Sequence, residues 1–123
     1  MPSFICECRA GLDLTKKSEL ATALTEVIHE TILSPLENIA VIFHDLPPES
    51  SFRAGKATSE TLILGNIRKG RRDETVHKLG LRISSTWSRI TGQSEDEIEI
   101  AIQLFDAKYT FRHGDRLPEA PVA

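Results

Sequence analysis

The stretch PSFICECRAGL, residues 2–12, aligns without a gap on TLILGNIRKGR, residues 61–71, and this pair decides the fold. The same offset of 59 residues carries outward from it: Leu20 falls on Leu79, Leu24 on Ile83, Ile39 on Ile98, Val41 on Ile100, Phe52 on Phe111 and Gly55 on Gly114. The chain is a duplicated unit, and its halves differ where chemistry is possible. The first begins with Pro2 directly behind Met1, where the second has Thr61; the second carries Arg71, where the first has Leu12. A duplication that served packing alone has no need to divide an amine and a cation this way. The asymmetry points to an active site shared between the halves.

Each unit reads as strand, helix, strand. Residues 3–8 are rich in strand formers, the segment from Arg9 to Asp13 reads as a turn, and Thr15 is positioned to cap a helix. Leu20, Leu24, Val27 and Thr31 recur at helical spacing on a helix that ends before Pro35. Ile39, Val41 and Phe43 then alternate along a second strand, which a helical crossover allows to pair in parallel with the first. In the second unit the strand runs from Thr61 to Ile67, the helix from about Asp73 with Val76, Leu79, Ile83, Trp87 and Ile90 on one face, and the last strand through Ile98, Ile100, Ile102 and Leu104. The expected fold is α/β (α+β): a tandem βαβ repeat giving a four-stranded sheet with two helices on one face.

At 123 residues this is one domain, 1–123, made of units at about 2–58 and 61–117. The proline-rich loop from Asp45 to Ser59 is too short to separate domains, and the tail from Ala107 is expected to be irregular and to wrap a neighbour. Leu62, Ile63, Leu64 and Ile67 are expected to make the sheet's other face apolar too, so the face without helices calls for self-association. A net charge of -3 with dispersed charges argues against nucleic acid and anionic membranes as partners. No apolar run suits a spanning helix or a signal core, which makes a cytoplasmic protein the expectation. Cys6 and Cys8 share a strand face and read as reduced structural thiols, with no metal implied.

A Met-Pro start followed by tandem βαβ units, with Arg68-Lys69-Gly70-Arg71 opening the second turn, resembles the tautomerase superfamily. Ser34 to Ile42 is similar to the end of the first helix and the second strand of 4-oxalocrotonate tautomerase, and the length is that of the fused branch that includes cis-3-chloroacrylic acid dehalogenase. The resemblance implies a trimer with sheets facing inward, no cofactor, and a catalytic Pro2 whose amine is exposed by removal of Met1. It implies a small carboxylate substrate held by Arg68 and Arg71, with His29 at the family's distance from the proline. Departures fall at Ala101 and Arg112, where the dehalogenase branch has a tyrosine and a water-activating glutamate, and at Ala40, where the single-unit tautomerase has an arginine.

The amine of such a proline, half-buried beside Arg68 and Arg71, is expected to lie below an ordinary α-amino pKa and so to serve as a base near neutral pH. Arg68 and Arg71, three apart in a turn, can converge on one carboxylate, and Arg112, matched to Arg53 by the offset, is a candidate third cation. Arg72 is expected to face water. Phe52 and Phe111 either wall the pocket or pack in the core. The expected activity is tautomerisation of a small unsaturated 2-oxo or 2-hydroxy acid; hydration or dehalogenation of a 3-haloacrylate-type acid, decarboxylation of an oxo acid, and a non-catalytic trimeric binding protein are the alternatives.

Overall fold

In the structure, a computed structural model that describes residues 1–9 and 11–123, the chain runs β1 (Ser3–Arg9), α1 (Leu14–Ile32), β2 (Ala40–Leu46), β3 (Phe52–Arg53), β4 (Lys56–Ala57), β5 (Thr61–Arg68), α2 (Asp73–Thr91), β6 (Ile98–Phe105), β7 (Phe111–Arg112) and β8 (Asp115–Arg116). The turn expected between Arg9 and Asp13 includes Ala10, which lies outside the described residues. The four long strands form one sheet in the order β2-β1-β5-β6. Each unit supplies a parallel pair, β1 with β2 and β5 with β6, as its helical crossover requires. The units meet at β1 and β5, which run antiparallel with Ser3 opposite Asn66 and Glu7 opposite Leu62. That contact brings the start of the first unit beside the end of β5.

Strand alternation places Phe4, Cys6, Cys8, Ile63 and Ile67 under the helices, where they meet Leu20, Leu24, Ile28 and Ile32 of α1 and Leu79, Ile83, Trp87 and Ile90 of α2. Burial of each large side chain contributes roughly 1.5–3 kcal/mol, so this layer is the main stabilising term. The two central strands fit by size. Phe4 sits opposite Gly65, where a Cβ would lie 2.3 Å from its ring, and Ile63 sits opposite Cys6. Ile5, Ile42, Leu62, Leu64 and Ala101 occupy the other face, half-buried or exposed. Ile63 and Ile67, expected to contribute to that face, belong to the core instead, because β5 keeps its period of two without a break.

Three expectations change. Asp13, not Thr15, caps α1: its carboxylate accepts from the Lys16 N–H at 2.8 Å, and the helix starts at Leu14, earlier than a Thr15 cap would allow. Phe52 and Phe111, at 62% and 69% exposure, lie outside the core on two small hairpins, β3-β4 and β7-β8. The tail, expected to be irregular, forms the β7-β8 hairpin and contacts its own chain. After β8, Leu117 donates its N–H to the Thr110 carbonyl, Ala120 approaches Gly70, and the Ala123 oxygen accepts from the Arg72 N–H at 3.1 Å.

Candidate active site

The offset that pairs Leu12 with Arg71 also pairs Asp13 with Arg72. Where α1 has its capping carboxylate, α2 therefore has an arginine and no side-chain cap, a local loss of about 1 kcal/mol. Asp73 and Glu74 in the first turn offset part of it through the helix dipole, and the tail supplies the acceptor for the Arg72 N–H. The turn preceding α2 is thus given over to arginines, two of which are withdrawn from water. Arg68 is 2% exposed and Arg71 8%. Arg72 is exposed, as expected, with its Nε directed at the Ala123 oxygen.

Arg68 ends β5 and donates from Nη1 to the Pro118 carbonyl at 2.7 Å. Arg71 donates from Nε to the Ile32 carbonyl at 3.2 Å and from Nη1 to the Arg68 carbonyl at 2.8 Å. Burial pushes the Arg68 guanidinium below its usual range, with Glu119 opposing; burial and then the like charge of Arg68 bring Arg71 down to about 10. Among the described residues, three buried side-chain polar atoms lack a hydrogen-bond partner: Arg68 Nε, Arg71 Nη2 and Ser34 Oγ. Two belong to the arginine pair. The third follows Ile32, whose carbonyl receives Arg71, by two residues. Buried polar groups are almost always paired, so donors left open together are suited to an anion from outside the chain.

The chain's start lies in the same region. Pro2 is fully buried, and its carbonyl accepts from the Ala40 N–H at 3.0 Å. The amine of Met1 is held below the ordinary α-amino value, first by burial, then by Arg68 and Arg112. Those two cations therefore act on the N-terminus from β5 and from the β7-β8 hairpin. Arg112 is oriented by a bond from Nη1 to Asn38 Oδ1 at 2.9 Å. His29 stands apart from this group: it is exposed on the last turn of α1, and its Nδ1 lies 2.7 Å from the Ser34 carbonyl. Ala101 lies on the open sheet face, as does Glu99, which pairs with Arg53 at 2.8 Å.

Ser34, Asn38 and the segment Pro118–Ala123 lie around these arginines and were not singled out in the sequence. Ser34 directly precedes Pro35 at the end of α1, a position where a buried hydroxyl has few backbone partners, and that was the available signal. The tail gave none, since its role depends on carbonyl groups rather than side chains. Among the described residues no group of three or more His, Cys, Asp and Glu is placed to hold a metal ion.

The Tautomerase family model, described as tautomerase enzyme, matches residues 5–60, which is the first unit. Similar solved structures extend over both units. Native Ps01740 shares 26% identity at a TM-score of 0.87, covering 90% of this chain and 100% of that one. N1, a member of the cis-3-chloroacrylic acid dehalogenase family, shares 24% identity at a TM-score of 0.92, over 97% of this chain and 85% of that one. The F6 fused 4-OT, an asymmetric trimer, shares 19% at a TM-score of 0.89, over 94% and 95%. No curated protein matches the sequence. The tautomerase family model thus covers the first unit, and the fold of both units is that of the fused, double-length structures.

Proposed function

We propose that the chain is a cofactor-independent tautomerase of small unsaturated 2-oxo or 2-hydroxy carboxylic acids, with Pro2 as base and then acid. The observation that carries this reading is the pair of buried guanidiniums with open donors near a chain start whose amine is depressed by burial and then by Arg68 and Arg112. With Met1 removed, Pro2 presents a secondary amine in that environment. Desolvation and like charge disfavour its protonated form, so a free base is available near neutral pH. Arg68 Nε and Arg71 Nη2 take the substrate carboxylate. With a 2-hydroxy acid the amine removes the hydroxyl proton, with a 2-oxo acid a proton from the carbon next to the carbonyl; the electron pair moves through the conjugated system, and the proton returns to a carbon of the same molecule. Nothing is gained or lost overall. Arg112 stabilises the developing enolate oxygen.

The open sheet face, with Ile5, Ile42, Leu62, Leu64 and Ala101, supports a homotrimer of this single-domain chain, as the F6 fused 4-OT forms. No helix is long and apolar enough to cross a membrane, and a cytoplasmic location fits the proposed substrate class. Dehalogenation is disfavoured by Arg112, which holds Asn38 where a water-activating carboxylate would be needed.

The test is ketonisation of phenylenolpyruvate and 2-hydroxymuconate by the wild type and Pro2→Ala, after mass spectrometry confirms loss of Met1. The expected result is turnover that falls about 10²–10⁴-fold in Pro2→Ala. Turnover of haloacrylates with little ketonisation, or none of either with a free amine, refutes the proposal. Sedimentation at three times the chain mass of 13.7 kDa checks the trimer.

A further inference from the structure

Because β1 and β5 are antiparallel, the duplication generates a second place equivalent to the Pro2 site, at the far end of the central strands. The seven residues from Ser3 to Arg9 separate the two by roughly 20 Å at the usual rise of a strand. A cavity of about 220 Å³ lies there, lined by Arg9, Leu12, Thr61, Trp87, Thr91 and Gln93 among others. Under the 59-residue offset, Arg9 stands for Arg68, Leu12 for Arg71, Thr61 for Pro2 and Gln93 for Ser34. The second place thus keeps one arginine and has lost the amine.

Its interior is neutral and satisfied. Gln93 Oε1 accepts from Thr61 Oγ1 at 2.7 Å and from Trp87 Nε1 at 3.0 Å, while Gln93 Nε2 donates to the Ser59 carbonyl at 3.0 Å. Cys8 also lines the cavity, but burial first and then Asp45 push its thiol up to about 11, and the Thr61 nitrogen is a peptide, so no free base stands there near neutral pH. Arg9 is half-buried at the cavity and has no hydrogen-bond or ion-pair partner among the described residues. Leu12 and the Trp87 ring provide apolar wall. The volume is below the roughly 300–1,000 Å³ of drug-sized sites, which restricts the occupant to a small molecule.

We propose that this cavity is a second, non-catalytic binding site for a short-chain monocarboxylate, with Arg9 holding the carboxylate and Leu12 and Trp87 the hydrocarbon chain. One cation selects one carboxylate, and the apolar walls reject a second charge. The site holds its ligand without turning it over.

Trp87 is the chain's only tryptophan, so its fluorescence reports on this cavity directly. Crotonate is titrated against the full-length protein, with crotonamide as the uncharged control. The expected result is a saturable emission change with crotonate and none with the amide. Arg9→Gln weakens binding roughly tenfold or more, as loss of a charge-assisted contact requires, with turnover at the Pro2 site unchanged. Leu12→Phe, which fills the cavity and leaves Arg9 in place, abolishes the change and covers the case in which Arg9→Gln does not fold. Arg71→Met titrates like wild type. A featureless crotonate titration, equal responses to acid and amide, wild-type binding by Leu12→Phe or by a folded Arg9→Gln, or loss of the signal in Arg71→Met overturns the proposal.

Discussion

Replacing Arg71 by methionine separates what this arginine does for the fold from what it does for a ligand. In the fold it donates to the Ile32 and Arg68 carbonyls, and losing both bonds costs about 3 kcal/mol in total. Against this stands the burial of a second guanidinium beside Arg68, which lowers the Arg71 pKa to about 10. At about 1.4 kcal/mol per pKa unit, relief of that penalty is on the order of 3 kcal/mol. A depressed cation destabilises the folded state at every pH below its folded pKa, so the relief is fully present at pH 7. The two contributions nearly cancel, and methionine fills the space with an unbranched apolar chain. The urea unfolding free energy is expected to move by no more than about 1 kcal/mol. The open Nη2 donor, however, is lost to the substrate carboxylate, and a charge-assisted hydrogen bond of about 1.5–3 kcal/mol corresponds to a 10- to 150-fold fall in kcat/KM. Most of this should appear in KM, since the carboxylate is held alike in the ground and transition states. Steady-state ketonisation kinetics and urea melts on the same preparation give both numbers. An unchanged kcat/KM in a folded variant, or a loss of activity that tracks a loss of folded protein, refutes the reasoning.

Arg112→Ala removes one of the cations that lower the chain-start amine, so the acid limb of the kcat/KM pH profile moves to higher pH. In protein that keeps Met1, the Met1 amine, depressed first by burial, binds its proton less readily folded than unfolded, so stability rises with pH from the lowered folded pKa up to the ordinary value near 8; a set of urea melts across that range shows the slope, and a flat response contradicts it. Gly65→Ala drives a methyl into the Phe4 ring and costs about 1–3 kcal/mol; Phe4→Leu in the same chain restores most of it, as thermal melts of the single and double variants will show. Truncation after Leu117 removes the acceptors of Arg68 Nη1 and the Arg72 N–H, so amide exchange in the first turn of α2 speeds up while exchange at Leu20 and Leu24 does not change.

Periodicity made the strands, helices and core legible in the sequence, because Leu20, Leu24, Leu79 and Ile83 had no other way to be buried together. The parallel pairing within each unit followed from crossover length. The antiparallel meeting of β1 and β5 did not, since strand order between units depends on the fit of Phe4 against Gly65 and no local pattern expresses it. Arg71 was visible as a cation where the first unit has Leu12, and Arg68 by its spacing from Arg71 in the same turn. The burial of Arg68 and Arg71 was hidden, because carbonyls of Ile32 and Pro118 provide their partners and every residue has a carbonyl. At the start of α1, Asp13 competes with Thr15 as the cap, and the carboxylate three residues ahead of the Lys16 N–H is the stronger acceptor.

The sizes that alternate across the central strands also decide which halves can be joined. Carried through the offset, Phe4 answers to Ile63 and Gly65 to Cys6, so the two contacts are a largest residue with a smallest one and an intermediate pair. A chain assembled from two first units would set phenylalanine against cysteine twice and be overfull; one assembled from two second units would set isoleucine against glycine twice and be hollow. Only the mixed order closes. The repeats are thus no longer interchangeable parts, and their mutual fit holds Pro2 at the end of the sheet where Arg68 emerges.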